Sequence, residues 1–201
     1  MIIVLYVDGL LIIGSSKKEI ASLKDAMNHA FSMTDLGLLS QFLGLEIDQS
    51  QHGIKVHHSN YASYILNMFS MKYCKPRKTP FLSGVKLEKA GSSPMVNNTL
   101  YRQLIGCLFC LTHTWIDISY AVNVALRYMD QPHEIHWRAA KIILNFVQWT
   151  RTHGIFYKAK SHLDLIGFTD SNWEGDNTNQ NYTSGYVFML AEGPINWSIN
   201  K

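Results

Sequence analysis

Two aspartates lie where apolar segments end, and a carboxylate in such a place can hold a metal ion. Asp8 follows the apolar segment from Ile2 to Val7. Asp170 follows a second one, from Leu163 to Thr169. A carboxylate fixed at a turn or a sheet edge suits a hard cation. Asp-Gly also favours tight hairpin turns, and aspartate is common in turns generally, so the residue types alone leave a structural explanation open for both.

A basic and aromatic segment in the middle of the chain has the composition of a nucleic-acid contact. Residues 49–87 contain six Lys or Arg and no Asp or Glu. Tyr61, Tyr64 and Tyr73 lie among them. Four of these cations lie close together in the chain: Lys72, Lys75, Arg77 and Lys78. Cations contact phosphates and tyrosine rings stack on bases. The alternative is that the tyrosines belong to the core and the cations are only solvated, and the formal net charge of +3 is modest.

Two pairs of metal-ligand residues have spacings that do not complete a site. Cys107 and Cys110 form a C-x-x-C motif inside an apolar segment, and no second pair accompanies it in the sequence. A structural zinc site needs four ligands, so we expect two thiols buried in a core. His133 and His136 likewise lack a third ligand nearby in the sequence.

The composition excludes several classes of protein. With 201 residues, 47% of them hydrophobic and 16% charged, the chain has the composition of a folded domain rather than a disordered one. Three cysteines are too few for a disulfide-stapled secreted scaffold. The apolar start, Met1 to Val7, has no basic residues and is too short to cross a bilayer. We therefore expect no membrane association and a cytoplasmic or nuclear location, without secretion.

Elements that would position the N-terminal candidates follow from hydrophobic patterning. The apolar segments on either side of Asp8-Gly9 predict a hairpin covered on both faces, and Ser16 predicts the start of a helix that reaches about Phe31. We expect a strand from Gln41 to Gln49, a turn, a return strand from Ile54 to His58 and a helix from Ser59 to Phe69.

The second half predicts helices followed by strands. A Pro- and Gly-containing linker covers about 74–97. Three helices should follow: Thr99–Thr112, one N-capped by Asp117 and ending at Met129, and one from His133 to about Thr152 with Ile135, Ala139, Ile142, Phe146 and Trp149 on one stripe. Gly154 should end the last helix. Four strands complete the chain: Ile155–Lys158, Leu163–Thr169, Gly185–Leu190 and Ile195–Ile199. The fold class predicted is α+β.

Several motifs, in order, resemble the reverse transcriptase and ribonuclease H region of copia-type retrotransposon Pol polyproteins. Tyr6-Val7-Asp8-Gly9 is similar to the family's Y-V-D-D hairpin. Further similar motifs are Thr34-Asp-Leu-Gly37, Phe42-Leu-Gly-Leu-Glu-Ile47, Lys75-Pro through Thr79-Pro80, Leu100-Tyr-Arg102, Phe168-Thr-Asp-Ser-Asn-Trp173 and Thr183-Ser-Gly-Tyr186. The resemblance covers essentially the whole chain.

The resemblance implies a domain organisation along the chain. Residues 1–80 would be the C-terminal part of a polymerase palm, 81–153 the thumb and connection helices, and 154–201 the start of a ribonuclease H-like domain. Phe42, Leu43 and Gly44 would position a primer terminus, and the basic segment would contact an RNA or DNA template–primer. Asp8 would belong to the polymerase pair of aspartates and Asp170 would be the first ribonuclease H acid. The family's cofactor is Mg²⁺, and no small-molecule substrate is implied.

Departures from the family pattern argue against present catalysis. Gly9 stands where the family has the second aspartate of the hairpin. The resemblance places another polymerase aspartate and the fingers before Met1, and further ribonuclease H acids after Lys201. We therefore expect a truncated, degenerate and catalytically inactive fragment that binds no metal ion productively and binds nucleic acid weakly and without specificity. The alternatives are a non-catalytic nucleic-acid-binding protein and a polymerase part completed by another chain.

One expectation about order also follows from the resemblance. A ribonuclease H sheet packs against helices that would follow Lys201, so one face of the C-terminal strands should lie bare. Val187, Met189, Ile195 and Trp197 would then form an exposed apolar patch, and the region should be poorly ordered.

Overall fold

Five helices and nine strands form within residues 1–81, 87, 93–172 and 183–200, the part of the chain that the computed structural model describes. The strands make three antiparallel sheets of two, four and three strands. The chain divides into two compact units, Met1–Leu39 and Ser40–Lys201. Helices beside separate antiparallel sheets confirm the predicted α+β class. Within the same described ranges, no helix has both the length and the apolar character needed to cross a membrane.

The first unit is a hairpin followed by a helix. Strands β1 (Ile2–Tyr6) and β2 (Gly9–Ile13) pair from Ile2–Ile13 to Tyr6–Gly9. Helix α1 (Lys17–Ala30) begins as predicted, because the Ser16 hydroxyl accepts a hydrogen bond from the Glu19 N–H (3.3 Å). The expectation that the hairpin is covered on both faces is wrong, since β1 is exposed along its whole length. The apolar side chains of β1 are therefore not buried within this unit.

The four-stranded sheet opens the second unit. Its strands are β3 (Gln41–Phe42), β4 (Leu45–Ser50), β5 (Gly53–His57) and β6 (Ile155–Lys158), in that order. The single strand predicted from Gln41 to Gln49 is wrong. Leu43 and Gly44 form a tight turn inside it, with φ of 51° and 83°. The alternating pattern missed this turn because the residues on both sides are equally apolar.

Strand β6 pairs with β5, about a hundred residues earlier in the chain, and Gly154 permits the approach. A Cβ built on Gly154 would lie 2.5 Å from the Val56 carbonyl oxygen and 2.7 Å from the His57 Cβ. Gly154 was predicted as the stop of the preceding helix, but that helix ends at Trp149 and Thr150 is its cap residue. The glycine is therefore needed for close packing of two backbones rather than for a helix end.

Four helices form the core of the second unit. They are α2 (Ser59–Met68), α3 (Asn98–Leu111), α4 (Ile116–Leu126) and α5 (Glu134–Trp149). Their apolar faces meet in one cluster that includes Ile65, Leu104, Leu108, Ile118 and Leu144, all at most 1% exposed. The predicted cap of α4 is wrong, because Trp115 is its cap residue and Asp117 lies in the first turn. The predicted start of α5 is confirmed, with His133 as its N-cap.

The buried face of α5 lies beside the predicted one. Ala140, Ile143 and Val147 are buried against the other helices. Of the predicted stripe, Phe146 is buried, Trp149 is exposed, and three residues are half-buried: Ile135, Ala139 and Ile142. These three line a shallow groove beside Pro80 and Phe81. The apolar surface of α5 is therefore wider than one stripe, because the other helices cover one side, and Pro80 and Phe81 lie beside the other.

The last sheet packs on the helices through its final strand. Its strands β7 (Ile166–Asn172), β8 (Thr183–Leu190) and β9 (Gly193–Asn200) are joined in that order. The Trp197 Nε1–H donates to the Thr112 carbonyl (3.2 Å), and the Asn123 amide donates to the Ile199 carbonyl (2.6 Å). Of the four residues expected in a bare patch, only Ile195 is exposed. That expectation is corrected, because helices α3 and α4 of this chain cover part of the sheet.

Candidate functional site

Asp8 lies in the hairpin turn of the first unit, one turn position later than the sequence predicts. Tyr6 pairs with Gly9, so the two turn residues are Val7 and Asp8 rather than Asp8 and Gly9. Val7 has a φ of 53°, which β-branched residues rarely adopt. The turn is therefore imposed by strand pairing, against the local preference that favoured Asp-Gly.

Gly9 is not required by the backbone of this hairpin. Its φ is outside the left-handed region, and a Cβ built on it would meet only the Tyr6 carbonyl oxygen, at an ordinary contact distance of 3.5 Å. An aspartate side chain would therefore fit at this position. The fold does not explain why a glycine stands beside Asp8.

The surroundings of Asp8 do not fit a two-metal carboxylate site. Asp8 is exposed at the turn, with Gly9 in place of a neighbouring carboxylate. Within the described residues, no three or more His, Cys, Asp or Glu side chains are grouped so that they could hold a metal ion. A two-ion clamp depends on several carboxylates at fixed spacing, and Asp8 supplies one.

Asp170 lies near the end of β7 and is also exposed. It pairs with Gly185 across the sheet, and Gly185 pairs with Ile199. Since alternate residues share a face, Asp170 lies on the face that carries Val187 and Trp197. This is the face through which Trp197 contacts α3.

The predicted primer-positioning residues form the tip of the β3–β4 hairpin. Phe42 is half-buried, and Leu43 is 59% exposed. A Cβ on Gly44 would meet no atom within 4 Å, so the side of the turn that Gly44 presents is open. The turn is held at its base by the Ile47 N–H, which donates to the Ser40 carbonyl (2.9 Å). It is an exposed apolar turn on a sheet, which can lie against a ligand.

The four clustered cations all reach solvent. Lys72, Lys75, Arg77 and Lys78 are exposed, and Tyr73 is 89% exposed with the Lys72 ammonium 5.5 Å from its ring centroid. We call residues 72–78 the basic segment. It combines free cationic side chains with an aromatic face that a base could stack on.

The backbone of the basic segment is tied to the helical core. The Arg77 N–H donates to the Asn145 carbonyl in α5 (3.0 Å), and the Cys74 N–H donates to the Met71 carbonyl (3.1 Å). Because both bonds use the backbone, the side chains of the segment stay free. Residues 72–78 are therefore held in place without using their charges.

The basic segment differs from other cations of the chain, which have partners within the chain. Lys24 pairs with Asp35, and Arg138 pairs with Glu134. Lys55, also in the region without acids, donates to the Thr152 carbonyl (2.8 Å). Lys86 lies outside the described residues. No carboxylate of the described residues lies within ion-pair distance of the four cations of the basic segment, so their charge is available to an external anion.

The two tyrosines of α2 differ in burial. Tyr61 is half-buried, and burial raises its pKa. Tyr64 stacks on Tyr61 at 6.3 Å between ring centroids and is 56% exposed. Of the three tyrosines singled out in the sequence, Tyr64 and Tyr73 therefore present faces to solvent.

Buried histidines are engaged in structure. His58 shares a hydrogen bond between its Nδ1 and the Thr114 hydroxyl (2.8 Å), and burial lowers its pKa. His136 accepts a hydrogen bond from the His133 N–H (2.9 Å) and stacks on Tyr128 at 3.9 Å. His133 and His136 thus cap the start of α5.

The cysteines of the C-x-x-C motif are more accessible than predicted. Cys107 is half-buried and Cys110 is exposed. The prediction of two thiols buried in the core is wrong, because the core face of α3 is formed by Leu104, Leu108 and Leu111.

Comparison with known proteins shows which family the chain is similar to. Residues 1–83 match the family described as reverse transcriptase (RNA-dependent DNA polymerase). Over 98% of its length the chain is 34% identical to the retrovirus-related Pol polyprotein from transposon RE2 of Arabidopsis thaliana, covering 14% of that protein. It is 32% identical over 98% of its length to the corresponding polyprotein from transposon TNT 1-94 of Nicotiana tabacum, covering 15%. An uncharacterized mitochondrial protein of Arabidopsis thaliana is 34% identical over the whole chain, which covers 83% of it.

The chain belongs to the copia-type retrotransposon Pol family. It spans about a seventh of the Pol polyproteins it matches. No solved structure matches it.

Two features of this Pol-family chain could not be predicted from the sequence. The first is the anchor of the basic segment, since a backbone hydrogen bond to the Asn145 carbonyl does not depend on residue type. The second is the contact of Trp197 with Thr112, which joins residues 85 positions apart. The motif order identified the family, but no local signal could reveal either contact.

Proposed function

We propose that this chain is a fragment of a retrotransposon reverse transcriptase that binds template–primer nucleic acid and does not catalyse DNA synthesis. The single observation that carries the binding part is the basic segment, with four exposed cations that lack carboxylate partners in the described residues. Membership of a reverse transcriptase family supports a nucleic acid as the polyanion.

The chemistry of the basic segment points to binding through phosphates. Lysine and arginine side chains on a fixed backbone read charge and spacing but not sequence. Tyr73 and Tyr64 can add stacking on unpaired bases. With about four phosphate contacts, the affinity should lie in the non-specific range of roughly 10⁻⁴ to 10⁻⁶ M at physiological salt.

Other parts of the chain receive roles by family membership. We assign the exposed turn of Phe42, Leu43 and Gly44 to the neighbourhood of the primer terminus. We further assign residues 1–80 to the palm, 81–153 to thumb and connection helices, and 154–201 to the start of a ribonuclease H-like domain. Strand β6 pairs with β5, so the last division falls inside one sheet. The site of action would be cytoplasmic or nuclear.

The proposal of catalytic inactivity rests on Gly9. Two-metal polymerases rely on clustered carboxylates, and the family's hairpin pair is reduced to Asp8. The backbone at Gly9 would accept an aspartate, so the glycine removes a ligand without a structural gain. Mg²⁺ is the ion the family implies, and we assign it no productive site here. The same holds for Asp170, the ancestral ribonuclease H acid, since no group of three or more candidate ligands forms among the described residues.

Two assays test the two parts of this proposal separately. The first is primer extension on a poly-rA/oligo-dT substrate with Mg²⁺ or Mn²⁺. We expect equal, background synthesis from the unaltered chain and from Asp8→Ala. Template-dependent synthesis that Asp8→Ala abolishes would refute inactivity, and would support the alternative of a working polymerase part.

The second assay is fluorescence anisotropy with a labelled primer–template duplex. The variant with Lys72, Lys75, Arg77 and Lys78 replaced by Ala should lose most of its affinity, whereas Asp8→Ala should not weaken binding. Unchanged affinity in the fourfold variant would refute the assignment of the basic segment.

A further inference from the structure

A serine, a histidine and two carboxylates meet where β5 leads into α2. His57 pairs with Glu46 across the β4–β5 ladder, and alternate residues of a strand share a face, so Asp48 lies on the same face. The His57 side chain is only 9% exposed and is engaged at both ring nitrogens. Its Nε2 lies 3.0 Å from the Asp48 Oδ2, and its Nδ1 lies 2.7 Å from the Ser59 Oγ. Asp48, His57 and Ser59 therefore form one continuous chain of hydrogen bonds.

The backbone decides which ring nitrogen of His57 carries the proton. The Ser59 N–H donates to Nδ1 at 3.4 Å, and a backbone N–H can only donate. Nδ1 is therefore an acceptor, so the proton of the neutral ring lies on Nε2, where the Asp48 carboxylate accepts it. The Ser59 hydroxyl donates to the same Nδ1. In this arrangement the imidazole is ready to take the proton of the serine hydroxyl.

We propose that Ser59 is a nucleophile for acyl transfer, with His57 as its general base and Asp48 as the residue that positions the imidazole. A hydroxyl becomes reactive when a base accepts its proton and a third group orients that base, and this constellation occurs on unrelated folds. The Glu46 Oε1 lies 3.9 Å from the His57 Nδ1. Both carboxylates favour the imidazolium that forms when His57 takes up the proton.

The reaction is the hydrolysis of an ester in two steps. The Ser59 Oγ forms a bond to the acyl carbon while its proton moves to the His57 Nδ1. The imidazolium gives this proton to the leaving oxygen as the bond between that oxygen and the acyl carbon breaks. Water then attacks the acyl-serine by the same route and restores the Ser59 hydroxyl. The products are one alcohol and one carboxylic acid, and no oxidant or metal ion takes part.

The first turn of α2 restricts the substrate to activated esters. The Ser59 N–H is engaged with His57, and the Asn60 N–H donates to the Glu46 Oε1 (2.7 Å). Neither N–H is free to stabilise an oxyanion, and one such donor changes the rate by roughly 10²–10³-fold. An aryl ester with a stable leaving group needs this help less than an amide does. Ser59 is half-buried beside the exposed Asp48 and Asn60, so we assign aryl esters with a small acyl group as the substrate class.

The test is the release of p-nitrophenol from p-nitrophenyl acetate by the full chain. Ser59→Ala and His57→Gln should each lower kcat/KM by about 100-fold or more. Ser63→Ala is the matched control, because the Ser63 hydroxyl lies one turn further along α2 and donates to the Ser59 carbonyl (2.9 Å). This variant should keep the rate of the unaltered chain. Hydrolysis that survives Ser59→Ala, or that falls equally in Ser63→Ala, would overturn the proposal.

The role of Asp48 has a readout of its own. Its side chain is 69% exposed, so water partly replaces it, and Asp48→Asn should lower kcat by about 10-fold with KM unchanged. Asp48→Glu keeps the carboxylate and should recover part of this loss. A raised KM with unchanged kcat in Asp48→Asn would refute positioning of the base.

A further measurement uses the unaltered chain and therefore does not depend on the folding of a variant. A fluorophosphonate probe reacts with an activated serine, whose oxygen displaces fluoride and leaves a stable adduct. Mass spectrometry should locate this adduct at Ser59, and unfolding the chain in urea before labelling should abolish it. A folded chain that carries no adduct at Ser59, or equal labelling of Ser59 and Ser63, would refute an activated nucleophile.

Discussion

The salt dependence of nucleic-acid binding should reveal how many cations of the basic segment touch phosphates. Four exposed cations, Lys72, Lys75, Arg77 and Lys78, have no carboxylate partner among the described residues. Each phosphate contact on duplex DNA contributes about −0.9 to the slope of log K against log salt, so four contacts give about −3.6. Between 50 and 200 mM salt, this slope lowers the affinity by roughly 150-fold.

Substitutions should change this slope in steps. Each single replacement by Ala should flatten it by about 0.9, and the fourfold variant should remove the contribution of the segment. Tyr73→Ala should behave differently. It should lower the affinity for a single-stranded overhang by at least about 5-fold, since stacking contributes roughly 1–3 kcal/mol per base, but leave the slope unchanged.

The assay is fluorescence anisotropy of a labelled primer–template at five or more salt concentrations. Arg138→Ala is the matched control, because it changes the net charge equally but removes a cation already paired with Glu134, at 3.3 Å. Its slope should equal that of the unaltered chain. A fourfold variant that keeps a slope near −3.6, or an Arg138→Ala slope that flattens as much as a Lys75→Ala slope, would refute phosphate contact by the basic segment.

Three stability predictions rest on packing and burial. Gly154→Ala should lower the free energy of unfolding by about 1–3 kcal/mol, because its methyl group would press on the β5 backbone. Gly106→Ala, in the middle of α3 with open space around it, should raise the free energy of unfolding by about 0.5–1 kcal/mol. Urea unfolding measures both variants, and a change of the same sign in both would contradict the close approach of β6 to β5. Burial lowers the pKa of His58, so the unfolded chain takes up the proton first, and stability should fall as the pH drops below about 6.5 towards the lowered folded-state pKa. Urea midpoints from pH 8 to 5 should fall less in His58→Gln than in the unaltered chain, and parallel profiles would count against this. Trp197→Phe should lose the bond to the Thr112 carbonyl, cost about 0.5–1.5 kcal/mol and speed amide exchange in 183–200; unchanged exchange there would show that β9 does not depend on this contact.

Helix and turn positions were predicted well where the signal is local. The Ser16 cap, the turn between Ser50 and Gly53 and the strand Ile155–Lys158 are confirmed. Predictions failed where packing decides between similar residues. The strand from Gln41 to Gln49 contains a turn at Leu43 and Gly44, because strand pairing overrides an apolar pattern that does not show where the chain reverses.

The candidate site was predictable in its residue types but not in its contacts. Asp8, Asp170 and the basic segment stood out by composition and by motif order, and the family they indicated is confirmed. Their roles in binding and catalysis stay predictions. Composition could not show that the Arg77 backbone bonds to Asn145, nor that Cys110 is exposed, because both depend on which faces of distant helices meet.

The sequence by itself determined the family, the α+β class and the approximate course of helices and strands, since these depend on local pattern and motif order. Tertiary structure alone decided that Val7 and Asp8 form the hairpin turn, that β6 completes the sheet of β5, and that Cys110 is exposed. The physical reason is the same in each case. Neighbours in the chain set local preferences, but hydrogen bonds and close packing between distant segments select which of those preferences the folded chain keeps.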